Sequence, residues 1–139
     1  MGINKVEKDY INGIPAMNNL IAMIETAIKN DEIPFYRRPR SGGWNYRGFY
    51  LLENREFWCG IYYREHLTII FQIMDSKRYN PNYVQEPRWP IQIDKYSIRF
   101  RLDLSEIVFF SLEKDEQLEL ITRFVNESYS DALKMRKFE

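Results

Sequence analysis

Residues 95–104 constrain the fold most, because apolar and polar side chains alternate along the whole segment. Successive side chains of a strand point to opposite faces of a sheet. The pattern therefore predicts a strand with one face on a core and the other in water, as is common in antiparallel sheets. The apolar set is Tyr96, Ile98, Phe100, Leu102 and Leu104, and the polar set is Lys95, Ser97, Arg99, Arg101 and Asp103.

Helical periodicity appears on both sides of the strand-rich middle of the chain. Residues 15–29 and residues 115–134 each place apolar side chains at the spacing of one helix face. Acids near the start of the second segment and bases near its end suit a helix dipole. The first stripe holds Met17, Leu20, Ile21, Ile24 and Ile28, and the second holds Leu118, Ile121, Val125, Tyr129 and Ala132.

The segment between the two helices is typical of antiparallel hairpins. Residues 47–53, 57–63 and 67–74 are rich in aromatic and β-branched residues, and short polar links join them. The sequence therefore predicts one α+β domain over residues 1–139. Its antiparallel meander of four to six strands is flanked by an N-terminal and a C-terminal helix.

Three other segments complete the prediction. Residues 35–45 contain Pro39 and two adjacent glycines, so we expect no regular element there. A short strand is expected near residues 91–93. Residues 107–112 predict either a further short strand or a buried turn.

Composition excludes several classes of protein. No apolar stretch approaches the ~20 residues that a membrane helix needs, and the first ten residues lack the apolar core of a secretion signal. We therefore expect a cytoplasmic protein without a membrane partner. Cys59 is the only cysteine and His66 the only histidine, which excludes an internal disulfide, a multi-cysteine zinc site and a histidine-pair metal site. No cofactor is expected.

Charge is unevenly distributed along a chain whose formal net charge is zero. Residues 1–34 carry −2, residues 35–101 carry +6 and residues 102–139 carry −4. The middle region also holds ten of the twelve arginines and sixteen of the 22 aromatic residues. Arginine and aromatic side chains are the usual anchors of binding surfaces, so a ligand site is expected there.

The first candidate site lies in the acid-free stretch of residues 35–50. Guanidinium groups bind phosphate oxygens and flat rings accept stacked bases. The alternative is a solvated loop whose aromatic rings enter the core and whose arginines pair with the acidic C-terminal helix. The candidate ligand-binding residues are Arg37, Arg38, Arg40, Trp44, Tyr46 and Arg47.

The second candidate is the long connection over residues 75–94, together with one strand. An ordered domain rarely carries so long a connection without a use for it. The alternative is that aromatic side chains of the connection fix it over the edge of the core. The candidate ligand-binding residues here are Arg78, Arg88 and Trp89, with Arg99 and Arg101 from the strand.

Catalytic constellations are weak. Asp75 and Lys77, with Glu53 or Glu56, could supply the acids and lysine of a metal-dependent nuclease, although Asp75-Ser76 is also ordinary turn chemistry. A nucleophilic pair would need Cys59 to meet His66, whereas a mid-strand cysteine is usually an inert apolar group. Gly60 within a strand indicates a bulge or a close approach by another backbone or ring.

The function expected is that of a small non-enzymatic binding or regulatory protein that recognises a nucleotide or nucleic acid. Two alternatives remain open. One is a protein–protein interaction module, such as an inhibitor or accessory subunit, in a role such as host–parasite conflict. The other is the metal-dependent nuclease. A neutral, aromatic-rich chain repels its own copies weakly, so a homodimer is also expected.

Overall fold

Two α-helices and six strands form the described part of the chain in a computed structural model. The structure describes residues 14–37, 46–63, 67–104 and 108–137. Within those ranges no helix combines the length and hydropathy needed to cross a bilayer. The elements are α1 (Ile14–Asn30), β1 (Phe35–Arg37), β2 (Tyr46–Leu51), β3 (Phe57–Tyr63), β4 (Leu67–Ile73), β5 (Ile91–Ile93), β6 (Ile98–Asp103) and α2 (Lys114–Lys134).

The six strands form one antiparallel sheet in the order β1-β2-β3-β4-β6-β5. Strands β1 to β4 are a meander. The long connection then carries the chain past the position of β6, so that β5 lies at the edge and β6 returns beside β4. This arrangement, with a helix before and a helix after the sheet, confirms the predicted α+β fold.

Both helices pack on the same face of the sheet and against each other. The predicted stripe of α1 is buried at Leu20, Ile21, Ile24 and Ile28. Alternate residues of the central strands complete this core, as the ring of Phe57 shows by lying 5.3 Å from that of Phe71. The helix-facing sheet residues in the core are Phe49, Leu51, Phe57, Cys59, Ile61, Leu67, Ile69, Phe71, Ile73, Ile98, Phe100 and Leu102.

Strand β6 keeps the predicted alternation but begins later than expected. Tyr96 is 65% exposed and Ser97 is buried, the reverse of the prediction for both residues. The reason is a turn, in which the Asp94 N–H donates to the Ser97 carbonyl at 2.9 Å. Regular pairing therefore starts only at Ile98.

Two other expectations have different outcomes. The absence of regular structure predicted for residues 35–45 is wrong at its start, because residues 35–37 form β1 by pairing with β2. Residues 38–45 lie outside the described residues. Of the two possibilities for residues 107–112, the structure has the buried turn, a 3₁₀ turn at Phe109–Ser111 with Phe109 fully buried.

Candidate ligand-binding face

The sheet face turned away from the helices carries an unusual row of side chains. Cross-strand register aligns Tyr50, Trp58, Gln72 and Arg99 on β2, β3, β4 and β6. Each alternates along its strand with helix-facing core residues, so all four belong to the opposite side, which we call the open face. Two aromatic rings, an amide and a guanidinium therefore lie side by side across four strands.

Two glycines determine how the open face is built. Gly48 and Gly60 are directly opposite each other in β2 and β3. A Cβ placed on Gly48 would lie 2.5 Å from the Gly60 Cα and 2.8 Å from the indole of Trp58. Glycine is needed here because backbone and ring approach more closely than any side chain permits. This confirms the close approach predicted at Gly60, and the Trp58 side chain beside Gly48 is only 5% exposed.

Trp58 borders a concavity on the open face that we call the aromatic depression, with a volume of about 220 Å³. Arg99 reaches across β4 from β6, and its guanidinium carbon lies 5.9 Å from the centre of the Tyr62 ring on β3. This crossing covers Ile70 between them, which is buried. The depression is lined by Tyr50, Trp58, Tyr62, Ile70, Gln72, Met74 and Arg99.

A second concavity, of about 490 Å³, lies where the turn between β2 and β3 meets the C-terminal end of the described chain. We call it the cationic cleft, because it holds four basic side chains and two acidic ones. Arg55, Arg78 and Lys137 are exposed there. The cleft is lined by Asn54, Arg55, Glu56, Met74, Asp75, Arg78, Tyr79, Arg136 and Lys137.

The cleft is held together by a bidentate ion pair. Arg136 donates from Nε to Glu56 at 3.0 Å and from Nη2 to the other carboxylate oxygen at 2.5 Å. The backbone of the same segment pairs with the connection, since the Lys137 N–H donates to the Arg78 carbonyl at 2.8 Å. These bonds bring the side chains of Arg78 and Lys137 to one site from parts of the chain that are distant in sequence.

The depression and the cleft adjoin each other. Met74 lines both of them. The guanidinium carbon of Arg55, in the cleft, lies 5.6 Å from the ring centre of Tyr50, in the depression. An aromatic surface and a cationic one therefore meet at Met74, where Arg55 and Tyr50 lie near each other.

The candidate residues predicted from the sequence are only partly brought together. Arg99 and Arg101 lie on the open face as predicted, and Arg78 lines the cleft. Arg47 shares the helix-facing side of β2 with Phe49 and Leu51. Two residues are described by backbone position alone, Arg37 in β1 and Tyr46 in β2, and three lie outside the described residues: Arg38, Arg40 and Trp44.

Arg88 and Trp89 are placed elsewhere, against α2. The Arg88 Nη2 donates to Asp131 at 2.8 Å, and that hydrogen bond raises the pKa of the guanidinium. The Trp89 indole N–H donates to Glu127 at 3.0 Å, and its ring lies 5.2 Å from that of Phe124. These two residues attach the connection to the helix layer, on the side of the sheet opposite the aromatic depression.

The weak catalytic constellations show ordinary structural contacts. Asp75 accepts a hydrogen bond from the Lys77 N–H at 3.1 Å, which is the turn chemistry considered as the alternative. Glu56 forms an ion pair with Arg136. In the described part of the chain, no three potential metal-ligating side chains cluster. Cys59 is buried in the core, which raises the pKa of its thiol and agrees with an inert apolar group, and His66 lies outside the described residues.

Sequence reasoning missed the residues that define the depression. Trp58 and Tyr62 alternate with Phe57, Cys59 and Ile61 along β3, so the period of two already separates them from the core set. That signal was present but concealed, because both sets are apolar. Comparison of the chain with known protein families, curated proteins and solved structures finds no match.

Proposed function

We propose that this protein is a non-enzymatic binding protein for nucleotides, either free or within a single-stranded nucleic acid. The base would stack in the aromatic depression and the phosphate would enter the cationic cleft. The observation that carries the proposal is the continuity of the two concavities at Met74. A nucleotide has the same arrangement of a flat ring joined to an anion.

Physical magnitudes support this pairing of surfaces. Stacking of a base on an aromatic side chain is worth about 1–3 kcal/mol. A hydrogen bond to a charged group contributes about 1.5–3 kcal/mol. A strand of nucleotides gains both terms repeatedly, whereas a purely apolar ligand would leave Arg78 and Lys137 unused.

Fluorescence anisotropy of a labelled oligothymidylate tests the proposal, with unlabelled mononucleotide as competitor. The test variant is R78A/K137A, which removes two exposed cations of the cleft while leaving their backbone hydrogen bond intact. The matched control is K95A/K114A, which removes two exposed cations outside both concavities. Thermal unfolding of each variant verifies that the fold is retained.

We expect R78A/K137A to weaken binding by at least about tenfold. The slope of log affinity against log salt concentration should also become shallower, by the equivalent of about two phosphate contacts. The control should bind as the unmodified protein does. If the mononucleotide competes as well as an oligonucleotide does, the site binds a single nucleotide. If an oligonucleotide competes far better, the site binds a nucleic-acid strand. Equal affinity of the two double variants would contradict the proposal.

Stacking is tested separately with Y62L, which removes one ring of the depression. Its control is Y96L, because Tyr96 is 65% exposed on the turn between β5 and β6. Y62L should lose about 5- to 100-fold in affinity, and Y96L should lose none. Equal losses would place the stacking outside the depression.

The protein–protein alternative receives less support. It requires the aromatic residues and the acidic C-terminal helix to form one interface, but α2 packs on the opposite face of the sheet from the aromatic depression.

Self-association remains part of the proposal. Ile93 in the edge strand β5 and Tyr96 just after that strand are exposed. Light scattering at increasing concentration should report a homodimer. A constant monomer mass would contradict it. The regulatory role and the cytoplasmic location stay predictions.

A further inference from the structure

We propose that the aromatic depression prefers guanine, and that Arg99 and Gln72 read the base. This inference rests on the proposed nucleotide binding and specifies it further. It follows from the position of the two polar side chains, which line the depression directly opposite each other on β6 and β4. Aromatic rings border the same space, so a stacked base would have its edge beside both side chains.

The Arg99 guanidinium has a defined position, but its hydrogen-bonding capacity is only partly satisfied by the described residues. Its Nη1 faces Asp94 at 3.5 Å, longer than a good charge-assisted hydrogen bond. The plane lies near the Tyr62 ring, which restrains it. Its Nε is buried and has no hydrogen-bond partner among the described residues. Because a buried atom cannot touch a ligand directly, the base contacts proposed here fall on the Nη atoms of the guanidinium, whose ion pair with Asp94 is long.

Gln72 adds an amide beside the guanidinium. It is half-buried, and within the described ranges its side chain makes no hydrogen bond. An amide offers two donors and one acceptor. The depression thus places the guanidinium and amide donors near each other, beside rings on which a base can stack.

Among the base edges that a duplex presents in its major groove, the edge of guanine fits this set of groups best. Its O6 and N7 are neighbouring acceptors, which an arginine can contact with two donors at once. On adenine, N7 lies next to an amino donor, which would face the donors of an arginine. Cytosine presents an amino donor at the equivalent edge. Thymine offers one carbonyl there, together with a methyl group. Arg101 is a weaker candidate, because its Nη1 already donates to Gln92 at 2.9 Å.

The test uses the full chain and four labelled oligothymidylates that differ at one central position, which holds G, A, C or T. A fifth carries 7-deazaguanine there, which lacks N7 and keeps O6. The test variant R99K preserves charge but loses the planar pair of donors. R101K is the matched control on the same strand and the same face. Thermal unfolding is recorded for both variants.

We expect the guanine oligonucleotide to bind about 5- to 100-fold more tightly than the other three, the range that one bidentate contact provides. The 7-deaza oligonucleotide should lose most of that preference. R99K should lose it too, when its affinity for each oligonucleotide is compared with its own affinity for plain oligothymidylate. R101K should keep it. Equal binding of all four bases, or a preference that survives in folded R99K, overturns guanine recognition alone. Failure of every oligonucleotide to bind overturns this inference and the proposed function together.

Discussion

Gly48 and Gly60 face each other across β2 and β3 so closely that a Cβ on either one would overlap the backbone of the other strand. The obstacles are backbone atoms, which cannot move away as a flexible side chain can. The same pair leaves room for the Trp58 indole. One local feature therefore links the pairing of two central strands to the shape of the aromatic depression.

This relationship predicts that G48A and G60A are each strongly destabilising. Overpacking a well-filled core costs about 1–3 kcal/mol, and a backbone obstacle places both variants at or above the upper end. Denaturation in urea measures the loss. R101A, two strands from Gly60 in the same cross-strand row, is the control and should change stability little. Variants that unfold at the same urea concentration as the unmodified protein would mean that the two strands do not approach as described.

A second prediction concerns Arg88 and Asp131. The Asp131 side chain is 3% exposed, and the Arg88 side chain is 42% exposed. In R88A the buried Asp131 carboxylate loses the guanidinium and keeps only a long hydrogen bond from the N–H of residue 88. The free energy of unfolding should therefore fall by about 1–3 kcal/mol. Adding D131N should restore part of that loss, because it removes the uncompensated charge.

The same variant separates a structural from a ligand role for Arg88. We expect R88A to melt earlier but to bind oligothymidylate as the unmodified protein does, because the contact lies on the helix layer. An R88A protein that melts normally and binds poorly would assign Arg88 to the ligand site instead.

A third prediction concerns pH. Burial raises the pKa of Asp31 above its usual value of 3.8, and the neighbouring charge of Glu32 raises it further. A carboxyl with a raised pKa in the folded state favours folding while it is protonated, and that contribution is lost as pH rises through the folded pKa. The ionised form of Asp31 therefore lowers stability at neutral pH.

D31N should thus gain stability relative to the unmodified protein as pH rises from about 3 to about 7. The asparagine keeps an oxygen that can accept the hydrogen bond from Asn126, which Asp31 accepts at 2.6 Å. E86Q, at an exposed position in the long connection, serves as the control. A stability difference for D31N that is constant with pH, or that shrinks as pH rises, would contradict a raised pKa of Asp31 in the folded state.

The sequence predicted elements whose signal is local. The alternation at Ile98, Phe100 and Leu102 survives because it depends on one strand against one core. Strand β1 was missed since it exists only through pairing with β2. Asp131 was missed as a buried residue because its partner Arg88 lies 43 positions away, and no pattern within α2 indicates that partner.

The site was less predictable than the fold for the same reason. The excess of arginine and aromatic residues in the middle of the chain is visible in the sequence, and the ligand site expected there stays a prediction. It did not show that Trp58 and Tyr62 share a face with Arg99, which requires the cross-strand register. It also did not show that Arg78 meets Lys137, which requires the backbone pairing at the end of the described chain.

Photocross-linking tests the location of the ligand most directly. An oligonucleotide carrying 4-thiothymidine is irradiated in complex with the protein, and the linked peptides are identified by mass spectrometry. We predict cross-links to the segment of residues 46–63, at Tyr50 or Tyr62, that are reduced in the R78A/K137A variant. Cross-links confined to α2, or to Arg88 and Trp89 on the helix layer, would contradict binding on the open face.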